Sequence, residues 1–515
     1  MKNSMEVGSR TVNVASYVLF GRILTFLMLG IALVLVTRIL GPAQYGIYTL
    51  AVAFAGIFAS IGYFGIGTAI NKFIAENREK RKVGEISEIF SSALFLVVVV
   101  GIILAFVSFA LSSFISGYIF HTSAMANVIK VVSFWIIAAM LFGAVYDSLL
   151  GFSDGKDITI TATVQAFLQG GISIVLAVLG FGALAPVFGL VIGYFAGFAV
   201  GIVIMFRHNG LWFTKPNLPH LKKLLDFSWP VAGANIFSGI VGSFGLVFLG
   251  YFVAPAVIGN VGIASRTSSL ISVIFDSISF AILPTFSAMN ANKKLGKQLG
   301  KVYGYTVYLA VLVVSPMLFY MAVFSLPFSY TVFGSSYTTG PLYISIISMG
   351  LLVGIAGSYA NTLLIGMGRV KLALKYNLIA YIVALLLFLL LIPVFGGIGY
   401  AIVSFLVLPL LIDTIFINRL RYSLKINFRI RKIAAIIASD VIVSMIVSPL
   451  YLVAGGWVLL ALAAIGFLII YPIVAVILGG AEKGDISTIK ELSKGIPLAG
   501  PLLSVFADYA GVVVK

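Results

Sequence analysis

The stretch from Arg38 to Glu76, RILGPAQYGIYTLAVAFAGIFASIGYFGIGTAINKFIAE, decides the architecture. Gly41-Pro42 separates two long apolar stretches, and the second ends at the basic residues Lys72, Arg78, Lys80, Arg81 and Lys82. That is a reversal at one membrane face followed by an exit at the other. The pattern returns: Pro42-Ala43-Gln44-Tyr45-Gly46 is answered 213 positions later by Pro255-Ala256-Val257-Ile258-Gly259. At the same offset Gly155-Lys156 corresponds to Gly368-Arg369, and Phe181-Gly182 answers Phe395-Gly396 at 214. One half of the chain copies the other.

Working outward, 61% hydrophobic residues, 10% charged residues and a mean hydropathy of +1.15 exclude a water-soluble globule and describe an all-α polytopic membrane protein. The first apolar stretch is too long for a cleavable signal, so the first helix is expected to be retained. With no cysteine, disulfides, thiol catalysis and thiolate metal sites are excluded. A crossing of about 30 Å needs about 20 apolar residues. That ruler gives fourteen transmembrane helices, near 12–37, 46–69, 89–112, 127–150, 158–179, 185–206, 226–251, 259–286, 302–324, 341–365, 372–393, 398–418, 434–454 and 456–479.

The gaps alternate in charge. All of the 33 Lys and Arg except Arg22, Arg38, Lys130 and Arg266 fall in alternate segments, which the positive-inside rule places in the cytoplasm. Both termini are then cytoplasmic, in a multi-pass protein of the cell (plasma) membrane. The net charge of +17 is accounted for as a topology signal with attraction to anionic membrane lipid, and no nucleic acid is needed as a partner.

The repeat defines two six-helix units of like orientation, an N-lobe at 1–206 and a C-lobe at 207–420. Spans thirteen and fourteen, 421–479, are an addition, and 480–515 reads as a cytoplasmic amphipathic tail. Parallel repeats of this kind rock about a substrate path between them, which is a physical argument for a transporter. Nothing points to an enzyme. The outer loops are short, Asp154-Gly155-Lys156-Asp157 reads as turn chemistry, and His121, His208 and His220 lack metal-ligand spacing. No metal or cofactor is expected beyond H+ or Na+ coupling.

A charge at the centre of a membrane helix costs about 2.5 to 3.5 kcal/mol on insertion scales. Arg22, ten residues into the first span, and Arg266, seven residues into the eighth, are therefore expected to face an aqueous cavity, where guanidinium groups hold a phosphate or diphosphate. The bland reading neutralises each with a carboxylate from another helix. Asp276 lies ten residues from Arg266, on the wrong face for direct pairing. Arg22 aligns with Asn235 across the repeat, making Asn235 a cavity candidate, and Asp276 is the candidate buried titratable or cation-binding group. Asp413 and Asp440 flank the loop carrying Arg419, Arg421, Lys425, Arg429, Arg431 and Lys432, and ion pairing to it is expected. Kinks are expected at Pro230, Pro284, Pro316 and Pro393.

The stretch at 38–76, with FSWPVAGANI at 227–236, AILPTFS at 281–287 and VFGSSY at 332–337, resembles the polysaccharide-biosynthesis (Wzx-type) flippases of the multidrug/oligosaccharidyl-lipid/polysaccharide (MOP) superfamily. The resemblance covers nearly the whole chain. It implies a flippase for polyprenyl-diphosphate-linked glycan, moving from the inner to the outer leaflet beside glycosyltransferases or a polymerase of the same pathway. Phe20-Gly21-Arg22-Ile23-Leu24 and Ala264-Ser265-Arg266 are similar to cavity-arginine motifs of the related lipid II flippases. Their layout implies that spans thirteen and fourteen hold the lipid tail. Met28, where a second first-helix arginine is expected in that group, is a departure. Two further readings stand beside this one: a cation-coupled multidrug antiporter of the same superfamily, which needs an acid deep in the first half, and a non-transporting subunit of a glycan-assembly complex.

Overall fold

A computed structural model of the chain describes residues 2–487 apart from 123, 425, 453–454, 483 and 486; inside helices, the side chains of 2–16, 18–20, 230–236, 238, 270, 273–274, 276–277, 280–281, 293–294 and 423 are outside the description. By internal contacts the chain forms two compact units, Met1–Gly259 and Asn260–Lys515.

The first unit holds α1 (Lys2–Tyr63), α2 (Ile66–Glu79), α3 (Val83–Phe114), α4 (Met125–Phe152), α5 (Gly155–Val178), α6 (Leu184–His208) and α7 (Leu218–Phe252). The opening stretch of sequence explains its shape. α1 is two arms joined at Gly41, whose φ of 69° and ψ of 174° only glycine adopts easily, and Pro42 starts the second arm. The second arm does not run on to 69 as the apolar pattern suggests. It stops at Tyr63, because Phe64 (φ 42°) and Gly65 (φ 71°) turn left-handed, and α2 then carries the chain into the basic residues.

The repeat motifs meet in this unit. A Cβ added to Gly46 would lie 1.7 Å from the Pro255 carbonyl oxygen, and one added to Gly259 would lie 2.0 Å from that of Pro42. The contact is reciprocal, so each copy of Pro-x-x-x-Gly supplies both the glycine and the carbonyl it approaches. Of the other two matched pairs, Gly182 and Gly396 share a positive φ, 56° and 53°, whereas Gly368 has φ 72° and Gly155 starts a helix. α6 lays Gly189, Gly193, Gly197 and Gly201, one every four residues, against Ser173, Gln169, Gln165 and Thr161 of α5. Small residues at this spacing let two membrane helices approach backbone to backbone, with side-chain polar groups between them. The linker after α6 is tied along α3, whose Ser87, Ser91 and Ser92 hydroxyls accept from the N–H groups of Trp212, Thr214 and Asn217 at 3.4, 3.0 and 3.0 Å.

The second unit begins inside α8 (Pro255–Ala291) and continues through α9 (Lys293–Gly296), α10 (Leu299–Val323), α11 (Ser325–Val332), α12 (Gly340–Val353), α13 (Ile355–Gly366), α14 (Val370–Ile402), α15 (Leu408–Ser423), α16 (Ile430–Val447) and α17 (Gly456–Ile477). Its apolar core lies on α10, α13, α16 and α17, around the fully buried Tyr303, Tyr308, Tyr359 and Tyr471. The sharp breaks again fall at glycines. α14 is interrupted at Gly396, and α12 and α13 meet at Gly354 with a 45° bend. Pro284, Pro316 and Pro393 are carried inside helices without a break at the proline itself.

Among the described residues nine helices are long and apolar enough to cross a membrane. Two of these, 43 and 53 residues long, extend about 64 and 80 Å at 1.5 Å per residue, enough for two crossings each around Gly41 and Gly396. The bent α12–α13 pair and the helices α7 and α8 fall on the remaining expected spans. Among the described residues the fourteen expected spans fall largely on helix, and the chain is a multi-pass membrane protein.

Candidate functional site

Arg22 is exposed on the first arm of α1. Its neighbour Gly21 is buried against Thr159 of α5, whose hydroxyl also donates to the Tyr17 carbonyl at 2.7 Å. Further along, Ala32 and the Met28 carbonyl meet Gly170 of the same helix. One face of the arm is thus fixed on α5. The exposed apolar residues Leu27 and Ile31 lie about 140° and 180° round the helix from Arg22 at 100° per residue. Arg22 thus lies on a different side of the helix from the exposed Leu27 and Ile31 and from the contact with α5.

Arg266 is exposed on α8, in the second unit. Ser265, Ser269 and Ser272 fall within about 120° of it on one side, and the buried Ile263, Thr267, Ile271 and Phe275 on the other. Each of these serines donates its proton to a backbone carbonyl three or four residues back, at 2.9, 2.7 and 2.9 Å. That leaves oxygen lone pairs along the stripe as acceptors, with Arg266 as the cationic donor among them. Asn235 and Asp276 lie on α7 and α8, and their side chains are outside the described residues.

The acids do not sit as the sequence suggests. Among the described residues neither Asp413 nor Asp440 pairs with the basic loop. Asp413, on α15, is buried and accepts from the Gly357 N–H at 2.5 Å. Gly357 is the third residue of α13, so Asp413 caps the start of the half-helix that the bend at Gly354 exposes. A π-helical turn at Val403–Val407 packs its Phe405 carbonyl against Gly350 on the other side of the same bend.

The loop takes Asp485 instead. This residue of the tail is 3% exposed and receives Arg429 at 3.0 Å, Lys432 at 2.9 Å, Tyr305 at 3.1 Å and Tyr308 at 2.8 Å. Burial pushes its carboxyl up, but the hydrogen bonds from Lys432 and Tyr308 outweigh that and hold it below the ordinary aspartate value of 3.8. The tail was read as a surface amphipathic helix. Its beginning is a latch binding α16 and α17 to α10, and the stretch after 487 lies outside the described residues. The sequence signal was present: Asp485 lies six residues beyond the last apolar span, on the same expected membrane face as a loop of six cations.

Three smaller readings are also settled. Asp154 caps α5 through the N–H groups of Lys156 and Asp157, which is the turn chemistry expected of it. His208 and His220, given no role from sequence, pair with Asp157 and Glu88 at 3.1 Å each. Asp147 of α4 receives the Tyr63 hydroxyl at 2.5 Å in a pocket that Gly67 and Gly143 leave open.

A repeated, all-helical, multi-pass membrane fold is that of a transporter. The family model described as polysaccharide biosynthesis protein matches residues 12–290, and the chain belongs to that family. It is 22% identical over 404 residues to the probable low-salt glycan biosynthesis flippase Agl15 of Haloferax volcanii, covering 78% of this chain and 80% of that one. Among solved structures it is similar to the lipid II flippase MurJ in an inward closed conformation, with a TM-score of 0.71 and 17% identity over 91% of this chain and 98% of that one. An inward-facing multidrug resistance MATE transporter of the MOP superfamily gives a TM-score of 0.60 at 14% identity, over 78% and 94%. The fold is that of the MOP superfamily.

Proposed function

We propose that the chain is a flippase that moves a polyprenyl-diphosphate-linked oligosaccharide from the inner to the outer leaflet of the cell membrane by alternating access, for surface polysaccharide or glycan assembly. The basic ends of the spans and both termini are cytoplasmic, the repeats at 1–206 and 207–420 are the moving lobes, and spans at 421–479 hold the lipid tail. Arg22 and Arg266 each bind phosphoryl oxygens of the diphosphate. Glycosyltransferases or a polymerase of the same pathway supply and consume the cargo.

The observation that carries this reading is the stripe on α8: a guanidinium for phosphate beside serine oxygens that accept from sugar hydroxyls. Family membership and the flippase named among its relatives support it.

The test is transbilayer movement of a polyprenyl-diphosphate oligosaccharide in proteoliposomes. Losing one charge-assisted contact of about 1.5 to 3 kcal/mol lowers movement at least tenfold in Arg22→Ala or Arg266→Ala, with expression unchanged. Wild-type activity in both variants refutes the diphosphate assignment. Export of a cationic dye without movement of the glycan establishes the antiporter instead, and Asp147 is then its acid.

A further inference from the structure

Asp440 lies ten residues into α16, about 15 Å along the helix from its start and close to mid-membrane. It is 0% exposed, and neither carboxylate oxygen has a hydrogen-bond partner among the described residues. A carboxylate cannot remain charged there without compensation, since an unpaired ion in an apolar interior costs many kcal/mol.

The neighbouring groups narrow what compensates it. α10 presents Ser315, which is close enough to act on Asp440 electrostatically but stands outside hydrogen-bond geometry, and whose own hydroxyl is also buried and unpartnered. α17 presents Tyr471, whose hydroxyl is already committed. It donates at 2.8 Å to the Leu312 carbonyl, the acceptor that Pro316 leaves without an N–H four residues on. On α16 itself Ser439 and Ser444 bond backbone carbonyls. The charges at the basic end of the bundle, Arg429, Lys432, Glu482 and Asp485, are engaged with one another.

We propose that Asp440 is a proton-binding site of the α10–α16–α17 bundle, held as the neutral acid, with its O–H reaching Ser315 Oγ once a side-chain rotation closes the gap between the two buried, unpartnered groups. One proton added to one carboxylate oxygen removes the buried charge and offers Ser315 Oγ a donor, leaving the acid's carbonyl oxygen without a partner among the described residues. A hard cation would need about six oxygens, and two side chains supply three. The proton enters from the basic end. Tyr305, Tyr308, the Leu312 carbonyl and Ser315 follow one face of α10 at helical spacing, and Tyr308 donates both to Asp485 and to the Gly480 carbonyl. Beyond Asp440 the buried side chains include the apolar Val443, Val447, Phe467 and Leu318. Linking this proton to transport rests on the flippase reading; the site itself does not.

Infrared spectroscopy of the full chain in lipid, wild type against Asp440→Asn, reads the acid directly through its protonated-carboxyl C=O stretch. At neutral pH the wild type shows this band and Asp440→Asn loses it, while Ser315→Ala keeps the band but shifts it to higher frequency as the acceptor disappears. A wild type without the band, or a band that sodium alone removes at constant pH, overturns the proposal; thermal unfolding of both variants shows whether they are folded. In proteoliposomes, wild-type movement of the glycan responds to pH on the basic side and that of Asp440→Asn does not. If neither protein moves glycan, the flippase reading fails while the band still decides the site.

Discussion

Asp413 and Asp440 stand on either side of one basic loop, at similar distances from it in sequence, and the second unit treats them in opposite ways. Asp413 reaches a backbone N–H that a broken helix has freed, and that hydrogen bond is compatible with a buried carboxylate. Asp440 meets an intact bundle in which the one tyrosine hydroxyl is used on a proline-freed carbonyl, and it is left with a serine. A helix break supplies donors to a buried acid; a proline repaired by a tyrosine consumes one.

Removing each acid separates the two cases. Asp413→Ala leaves the Gly357 N–H unpaired inside the membrane and is expected to cost about 2 kcal/mol, seen as a lower midpoint in thermal unfolding, with Asp413→Asn recovering part because its amide oxygen still accepts. A wild-type midpoint for Asp413→Ala would show that the bend does not depend on its cap. A smaller effect comes from pH. The Asp485 carboxyl is held below its unfolded value, so the latch contributes fully above about pH 3.9 and is lost as pH falls through the lower folded value. Acidification into that range should speed hydrogen exchange at 480–482 and in the first turn of α16, and Asp485→Asn should do so at neutral pH. The least effect on stability is expected from Asp440→Asn, within about 0.5 kcal/mol, because an amide replaces a neutral acid of the same size. A loss as large as that of Asp413→Ala would mean that the buried group is charged.

The arginines were legible in sequence because a cation in an apolar span has few places to go. The serines around Arg266 were equally visible as residues, and it took their helical register and burial to show that they share its exposed face. Asp485 was overlooked because a charged tail after a last span usually lies on the surface, and only its contact with Tyr305 and Tyr308 of α10 shows otherwise.

Sequence by itself determined the all-helical, multi-pass class and the internal copy, because hydropathy, helix length and repetition are properties of a chain segment and need no partner. Tertiary structure alone decided where the helices break and what each acid meets. The breaks fall at Gly41, Gly354 and Gly396 and not at the prolines. A proline's lost hydrogen bond can be repaired by a neighbour such as Tyr471, and a carboxylate's state depends on donors that arrive from other helices.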